Sequence, residues 1–125
     1  MKDGKYVILC IDDDPDVLDA LRIFLEHNGY VMAEAKTAEE GLKRYKEDPP
    51  DFMLVDLMME EVDAGRNFAK ELQILNNEAP VYMLSSVGDS LAMNIDYTEL
   101  GLTGVFQKPV DFNSLLVTLK TKLKK

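Results

Sequence analysis

Short apolar runs alternate along the chain with segments of helical periodicity. The apolar runs are Tyr6–Ile11, Tyr30–Ala33, Phe52–Val55, Val81–Leu84 and Val105–Gln107. The first, third and fourth runs show little polar alternation, which is typical of parallel strands covered on both faces. Because strands that alternate with helices form parallel sheets with right-handed crossovers, the pattern predicts an α/β fold. We expect a doubly wound, five-stranded parallel sheet in (βα)5 order.

Capping residues and helix breakers predict where the helices begin and end. Asp14 followed by Pro15 is typical of a helix start, and Gly29 ends that first helix. Thr37 with Glu40 forms the pattern of a capping box and predicts the second helix. Three further helices are predicted by the apolar stripe Phe68, Leu72 and Leu75, by a partial stripe over Ser90–Leu100, and by the cap Asp111. We see no linker or repeat, so residues 1–125 are predicted to form a single domain.

Polar side chains follow four of the five predicted strands. Asp12 and Asp13 come after the first strand, Asp56 after the third, Ser85 after the fourth and Lys108 after the fifth. Because the carboxyl ends of parallel strands share one edge of the sheet, where ligands bind, we expect these groups to converge.

A purely structural cluster of carboxylates would be costly. Two unit charges about 4 Å apart repel by about 4 kcal/mol at an effective dielectric constant of 20. A bound divalent cation removes this conflict, and Mg²⁺ suits a site of carboxylate oxygens that leaves positions for phosphate oxygens. A carboxylate can also attack phosphorus and form an aspartyl phosphate. Asp56 is therefore the candidate phosphoryl acceptor.

Composition and charge exclude several classes of function. The chain has 125 residues and a formal net charge of −9, which argues against nonspecific binding of nucleic acids or membrane surfaces. No stretch approaches the roughly 18 apolar residues of a membrane span, and neither a signal peptide nor a nucleotide-binding glycine motif is present. With Cys10 as the single cysteine, no internal disulfide can form, so we expect a cytoplasmic protein.

Four fragments give the sequence a family resemblance. They are Val7–Pro15, Pro50–Met59, Met83–Ser86 and Val105–Pro109. In this order, they make the chain resemble the receiver domain of two-component response regulators over essentially its whole length. The resemblance implies a flavodoxin-like fold and a domain that assists its own phosphorylation and dephosphorylation without being a separate enzyme.

The resemblance also implies a role for each residue at the strand ends. Asp12, Asp13 and Asp56 would hold Mg²⁺, and the backbone carbonyl of Met58 would complete the protein ligands. Asp56 would receive the phosphoryl group. Lys108 would pair with one phosphoryl oxygen, and the Ser85 hydroxyl would form a hydrogen bond to another.

The partners implied by the resemblance are proteins. A sensor histidine kinase or a phosphotransfer protein would donate the phosphoryl group from a phosphohistidine. A downstream output protein or a fused output domain would then recognise the α4-β5-α5 face, formed by the fourth helix, fifth strand and fifth helix. The same family pattern leaves open a dimer through this face, and it implies no direct binding of nucleic acid or membrane.

Two other functions remain open from the residues. A metal-dependent phosphohydrolase of the haloacid-dehalogenase type also forms an aspartyl phosphate, but it normally has a second Asp where this chain has Met58. A pseudo-receiver would bind partners without being phosphorylated. The intact Asp56 counts against this second alternative, whereas two departures from the receiver pattern favour it.

Both departures lie close to the predicted site. Glu60 and Glu61 stand where receiver domains commonly carry Pro-Gly. Val105 occupies the position of a switching Tyr or Phe, and strand alternation is expected to turn the adjacent Phe106 to the opposite face of the sheet.

Overall fold

A parallel sheet with helices on both faces forms the framework of the protein. The computed structural model describes residues 4–56, 68, 70–86 and 102–123. The strands are β1 (Val7–Ile11), β2 (Val31–Ala35), β3 (Phe52–Asp56), β4 (Val81–Ser86) and β5 (Gly104–Lys108), and the helices are α1 (Pro15–His27), α2 (Ala38–Glu47) and a C-terminal helix (Phe112–Lys122). The five strands are parallel in the order β2-β1-β3-β4-β5. The predicted flavodoxin-like α/β fold is therefore confirmed.

The observed elements differ from the predicted ones mainly at their ends. β2 continues to Ala35, two residues past its predicted end, because its ladder with β1 includes the pairs Cys10↔Glu34 and Ile11↔Ala35. Residues 68 and 70–74 are helical, as the third stripe predicts. The fourth helix, predicted over Ser90–Leu100, lies outside the described residues.

Side-chain caps begin the helices as predicted. The Asp14 carboxylate accepts a hydrogen bond from the Asp16 N–H at 2.9 Å. Thr37 Oγ1 accepts one from the Glu40 N–H at 3.0 Å. Asp111 caps the C-terminal helix in the same way. Each cap satisfies backbone donors that the first helical turn leaves without partners. In the part of the chain that the structure describes, no helix combines the length and the apolar character of a membrane span.

The sheet separates two apolar layers. On one face, the buried residues of α1 and the C-terminal helix cover the sheet: Leu18, Leu21, Leu25, Leu115 and Leu119 pack on Ile8, Cys10, Phe52, Leu54 and Leu84. On the other face, α2 and the helical residues Phe68 and Leu72 cover Leu9, Ile11, Met53, Val55 and Met83. Cys10 is fully buried, and burial raises the pKa of its thiol, so this cysteine is a core residue, as the sequence predicts.

Two contacts fix the helices against the sheet. A Cβ atom at Gly41 of α2 would clash with Ile11 Cδ1, so the glycine lets α2 approach the end of β1 without displacing the Ile11 side chain. On the opposite face, Arg22 of α1 forms ion pairs with Glu34 on the edge strand β2 and with Glu26 one helical turn away. Both contacts lie in elements that adjoin the carboxyl end of β1.

Candidate functional site

The strand order brings the predicted site residues to one edge of the sheet. Asp12 directly follows β1, Asp56 ends β3, Ser85 is the penultimate residue of β4 and Lys108 ends β5. These strands are consecutive neighbours in the sheet. The structure therefore gathers the four positions at the carboxyl edge, as the sequence predicts.

Lys108 connects the two buried carboxylates of this edge. Its Nζ lies 2.7 Å from Asp12 Oδ2 and 2.9 Å from Asp56 Oδ2. The Asp12 side chain is fully buried, whereas the side chains of Asp56 and Lys108 are 11% and 17% exposed. Because β4 separates β5 from β3, Lys108 and Asp56 lie on strands that are two spacings apart, about 9.6 Å, and both side chains extend into this gap to meet. A long, flexible ammonium side chain suits this position.

Burial and ion pairing have opposite effects on the pKa values of Asp12 and Lys108. Burial raises the pKa of Asp12, and the hydrogen bonds from Lys108 and the Asp14 N–H only partly oppose this effect. Burial alone would lower the pKa of Lys108, but its hydrogen bonds to Asp12 and Asp56 outweigh burial, so its pKa is raised. Lys108 is therefore a cation at neutral pH and balances part of the negative charge of the site.

Three carboxylates at this edge offer ligands for a cation. Asp12, Asp13 and Asp56 each present an oxygen, and these oxygens lie within 4.8 Å of one another. Asp13 is exposed to solvent, so the group is open on one side. Hard carboxylate oxygens with room for water match the preferences of Mg²⁺, and the residues present therefore fit this ion. Met58 lies outside the described residues, so its backbone carbonyl remains a predicted ligand.

Two backbone contacts that the sequence did not predict hold Asp12. Its Oδ1 accepts a hydrogen bond from the Asp14 N–H at 2.9 Å, and its own N–H donates to the Ala35 carbonyl at 3.1 Å. Aspartates at alternate positions, as in Asp12, Asp14 and Asp16, are typical of turns in which a side chain accepts from the backbone two residues on. The spacing of these aspartates could therefore have predicted the hydrogen bond from the Asp14 N–H to Asp12 Oδ1.

The fourth and fifth strands carry the remaining predicted residues. Ser85 is 4% exposed and lies one residue beyond Leu84, which pairs with Asp56 in the sheet. Its contact with a phosphoryl group stays a prediction. Phe106 packs with the residues beneath α1 and the C-terminal helix, whereas Val105 is 37% exposed. The predicted alternation of these two side chains is confirmed.

Comparisons with known proteins identify relatives that match most of this chain. The family model of the response regulator receiver domain matches residues 8–120. The transcriptional regulatory protein GlrR of Escherichia coli K12 is 33% identical over 108 residues, which cover 86% of this chain and 24% of GlrR. The response regulator MprA of Mycobacterium leprae is 29% identical over 118 residues, which cover 94% of this chain and 51% of MprA.

A solved structure shows the same fold. The CheY-like response regulator receiver domain protein of Methanospirillum hungatei JF-1 superimposes with a TM-score of 0.84 at 26% identity, covering 96% of this chain and 94% of that chain. The chain spans about a quarter of the length of GlrR and about half of the length of MprA.

Proposed function

The chain belongs to the response regulator receiver domain family, the phospho-accepting signalling domains of two-component systems, and we propose that Asp56 is its phosphoryl acceptor. The observation that carries this assignment is the convergence of charges around the Asp56 carboxylate. Lys108 Nζ lies 2.9 Å from it, and oxygens of Asp12 and Asp13 lie within 4.8 Å. A nucleophilic carboxylate beside a cation and further metal-binding oxygens has the components that phosphoryl transfer requires.

Each residue around Asp56 has its own role in the proposed phosphoryl transfer. An Asp56 oxygen forms the bond to phosphorus as the phosphorus–nitrogen bond of a donor phosphohistidine breaks, and the departing imidazole nitrogen takes up a proton. Asp12, Asp13, Asp56 and the Met58 carbonyl would hold Mg²⁺, which when bound neutralises charge on the phosphoryl oxygens. Lys108, which stands 2.9 Å from the acceptor carboxylate, would pair with a phosphoryl oxygen. The Ser85 hydroxyl would donate a hydrogen bond to another.

The proposed donor is a sensor histidine kinase or a phosphotransfer protein. A groove beside Lys108, between α1 and the segment that follows β5, supports the approach of such a protein to Asp56. The groove is lined by Asp16, Val17, Ala20, Leu21, Lys108, Pro109, Val110 and Phe112. The groove reaches Lys108, which contacts Asp56, and its apolar lining would provide a contact surface that a small phosphodonor would not use.

The remaining parts of the proposal concern output and location. We propose that an output protein or a fused output domain recognises the α4-β5-α5 face. Two copies of the domain can also dimerise through that face. The domain assists its own phosphorylation and dephosphorylation. A single domain over residues 1–125 and a cytoplasmic location also belong to the proposal. The acidic net charge of −9 supports protein partners over nucleic acids.

Intact-mass measurement with Mg²⁺ and acetyl phosphate tests the acceptor. We expect the protein to gain the mass of one phosphoryl group, and Asp56→Asn to gain none. Asp19→Asn, which changes an exposed aspartate of α1, should be labelled like the wild-type protein. Unchanged labelling of Asp56→Asn would reject the acceptor assignment. Absence of labelling in the wild-type protein would favour the pseudo-receiver, and rapid multiple turnover of acetyl phosphate would favour the phosphohydrolase.

A further inference from the structure

An exposed lysine lies directly after β2, at the same edge of the sheet as the site. Lys36 follows Ala35, the last residue of β2. The Ala35 carbonyl accepts a hydrogen bond from the Asp12 N–H at 3.1 Å, so the contact between β1 and β2 continues past their last strand pair, Ile11↔Ala35. This hydrogen bond holds the backbone at the end of β2 beside the aspartates that follow β1.

Lys36 and Lys108 follow strands on opposite sides of the proposed acceptor. In the strand order, β3 is the central strand, and β2 and β5 are each two strands away from it, a spacing of about 9.6 Å. Lys108 is largely buried and contacts both Asp12 and Asp56. Lys36, in contrast, is exposed, and its ammonium forms no ion pair with a residue that the structure describes. Lys108 therefore belongs to the interior of the site, and Lys36 lies at its rim.

The carboxylates of this edge oppose the approach of an anion to Asp56. The site holds three carboxylates and one ammonium, that of Lys108. This excess favours a metal cation but repels a phosphoryl donor, whose phosphoryl group is itself anionic. Among the described residues that follow the strands at this edge, Lys36 is the only other cation. Because charges around a cleft change the association rates of charged ligands, a cation at the rim favours entry of the donor.

We propose that Lys36 is a docking cation that attracts the phosphoryl group of the donor to the rim of the site. Its ammonium acts on the phosphoryl oxygens before the transfer, and Lys108 pairs with them when the group reaches Asp56. The inference rests on the proposed function, in which Asp56 accepts the phosphoryl group. It goes beyond that function by assigning the approach of the anion to the connection between β2 and α2.

A charge at this position has opposite effects on the anion and on the metal. Lys36→Gln removes an attraction for the phosphoryl dianion, and it also removes a repulsion that opposes Mg²⁺. Over about 10 Å in water, one unit charge changes the interaction with a doubly charged group by about threefold at an ionic strength of about 0.01 M. At about 0.15 M, where the Debye length is about 8 Å, the change falls below about twofold. A residue that only supported the fold would not produce effects of opposite sign.

The rate of phosphorylation by acetyl phosphate and the Mg²⁺ affinity measure the two effects. Labelling is followed by intact mass at saturating Mg²⁺, and the Mg²⁺ Kd is obtained by isothermal titration, each at both ionic strengths. At about 0.01 M, Lys36→Gln should be labelled about threefold more slowly and should bind Mg²⁺ about threefold more tightly than the wild-type protein. Lys36→Arg keeps the charge and should match the wild-type protein in both measurements.

Lys46→Gln is the matched control for net charge. Lys46 is exposed in the last turn of α2, about 12 Å along the helix axis from its first residue. Its replacement changes the net charge by the same amount as Lys36→Gln, but both quantities should change much less because the charge lies farther from the site. All proteins are compared at a temperature at which circular dichroism shows them folded.

The outcomes distinguish the docking role from the proposed function. Wild-type labelling of Lys36→Gln at low ionic strength, a loss of rate that salt does not reduce, or weaker Mg²⁺ binding would overturn the docking role. Equal changes in Lys36→Gln and Lys46→Gln would overturn it too, because they would show an effect of net charge alone. If the wild-type protein is not labelled at all, the acceptor assignment is wrong, and the docking role is wrong with it.

Discussion

Replacement of Lys108 by methionine tests the charge balance of the site most directly. Methionine retains an unbranched apolar chain but removes the ammonium that lies 2.7 Å from Asp12 and 2.9 Å from Asp56. Removal of one partner from a buried ion pair costs about 3–5 kcal/mol, because the other charge is left uncompensated. The side chains of Asp56 and Lys108 keep 11% and 17% exposure, so we expect about 3 kcal/mol for Lys108→Met without metal.

Magnesium should act more strongly on this variant than on the wild-type protein. In the wild-type protein, a cation must compete with Lys108 for Asp12 Oδ2. In Lys108→Met, the same cation relieves repulsion between carboxylates that have lost their counterion. We therefore expect saturating Mg²⁺ to restore part of the lost stability. If Mg²⁺ stabilises Lys108→Met more than the wild-type protein, each additional 1.4 kcal/mol, approximately, corresponds to a tenfold higher Mg²⁺ affinity.

Urea unfolding followed by circular dichroism provides the measurement. Wild type, Lys108→Met and Lys120→Met are compared in EDTA and in Mg²⁺, with the free energy of unfolding taken from midpoint and slope. Lys120 is exposed on the C-terminal helix, so its variant should behave like the wild-type protein. Wild-type stability of Lys108→Met in EDTA would refute the charge-balance reasoning. A smaller Mg²⁺ effect in Lys108→Met than in the wild-type protein would refute the competition.

Three further outcomes follow from the site and its surroundings. Mg²⁺ at about 100 times its Kd should stabilise the native protein by about 2.7 kcal/mol, and Asp13→Asn should reduce this gain. If saturating Mg²⁺ leaves the melting temperature of the wild-type protein unchanged, the proposed metal site is wrong. By NMR, Ser85→Ala should remove most phosphorylation-dependent amide shifts between the fourth and fifth strands, whereas Val105→Ala should retain them, and the reverse pattern would contradict a signal passing through the hydroxyl. Gly41→Ala, whose Cβ would clash with Ile11 Cδ1, should destabilise the protein by about 1–2 kcal/mol. An equal cost in an Ile11→Val background would show that this contact is not the cause.

Much of the fold is predictable because its determinants are local in sequence. The caps Asp14, Thr37 and Asp111 each act within three residues, and all three begin helices as predicted. The apolar runs likewise identify all five strands. The end of β2 was predicted too early because Glu34 interrupts the apolar pattern. The Glu34 side chain is 38% exposed on the first strand of the sheet order and pairs with Arg22 of α1, so the strand can include this polar position.

The positions of the site residues were predictable, but their contacts were not. Strand ends are visible in the sequence, and the shared edge of a parallel sheet then brings Asp12, Asp56 and Lys108 close together. That Lys108 contacts both aspartates depends on strand order and side-chain reach, which no local pattern encodes. The hydrogen bond from the Asp14 N–H to Asp12 Oδ1 was not predicted, because Asp14 was interpreted only as a helix cap.

The Arg22–Glu34 pair has a consequence for how the molecules behave when they are crowded together. β2 is an edge strand, and the backbone groups on its outer side are a template on which a strand of another molecule can add. Glu34 places a charge one residue before the end of that strand, where it pairs with Arg22 of α1. An incoming strand would have to remove both charged groups from water without supplying new partners. The ion pair that anchors α1 therefore also discourages edge-to-edge aggregation at this side of the sheet.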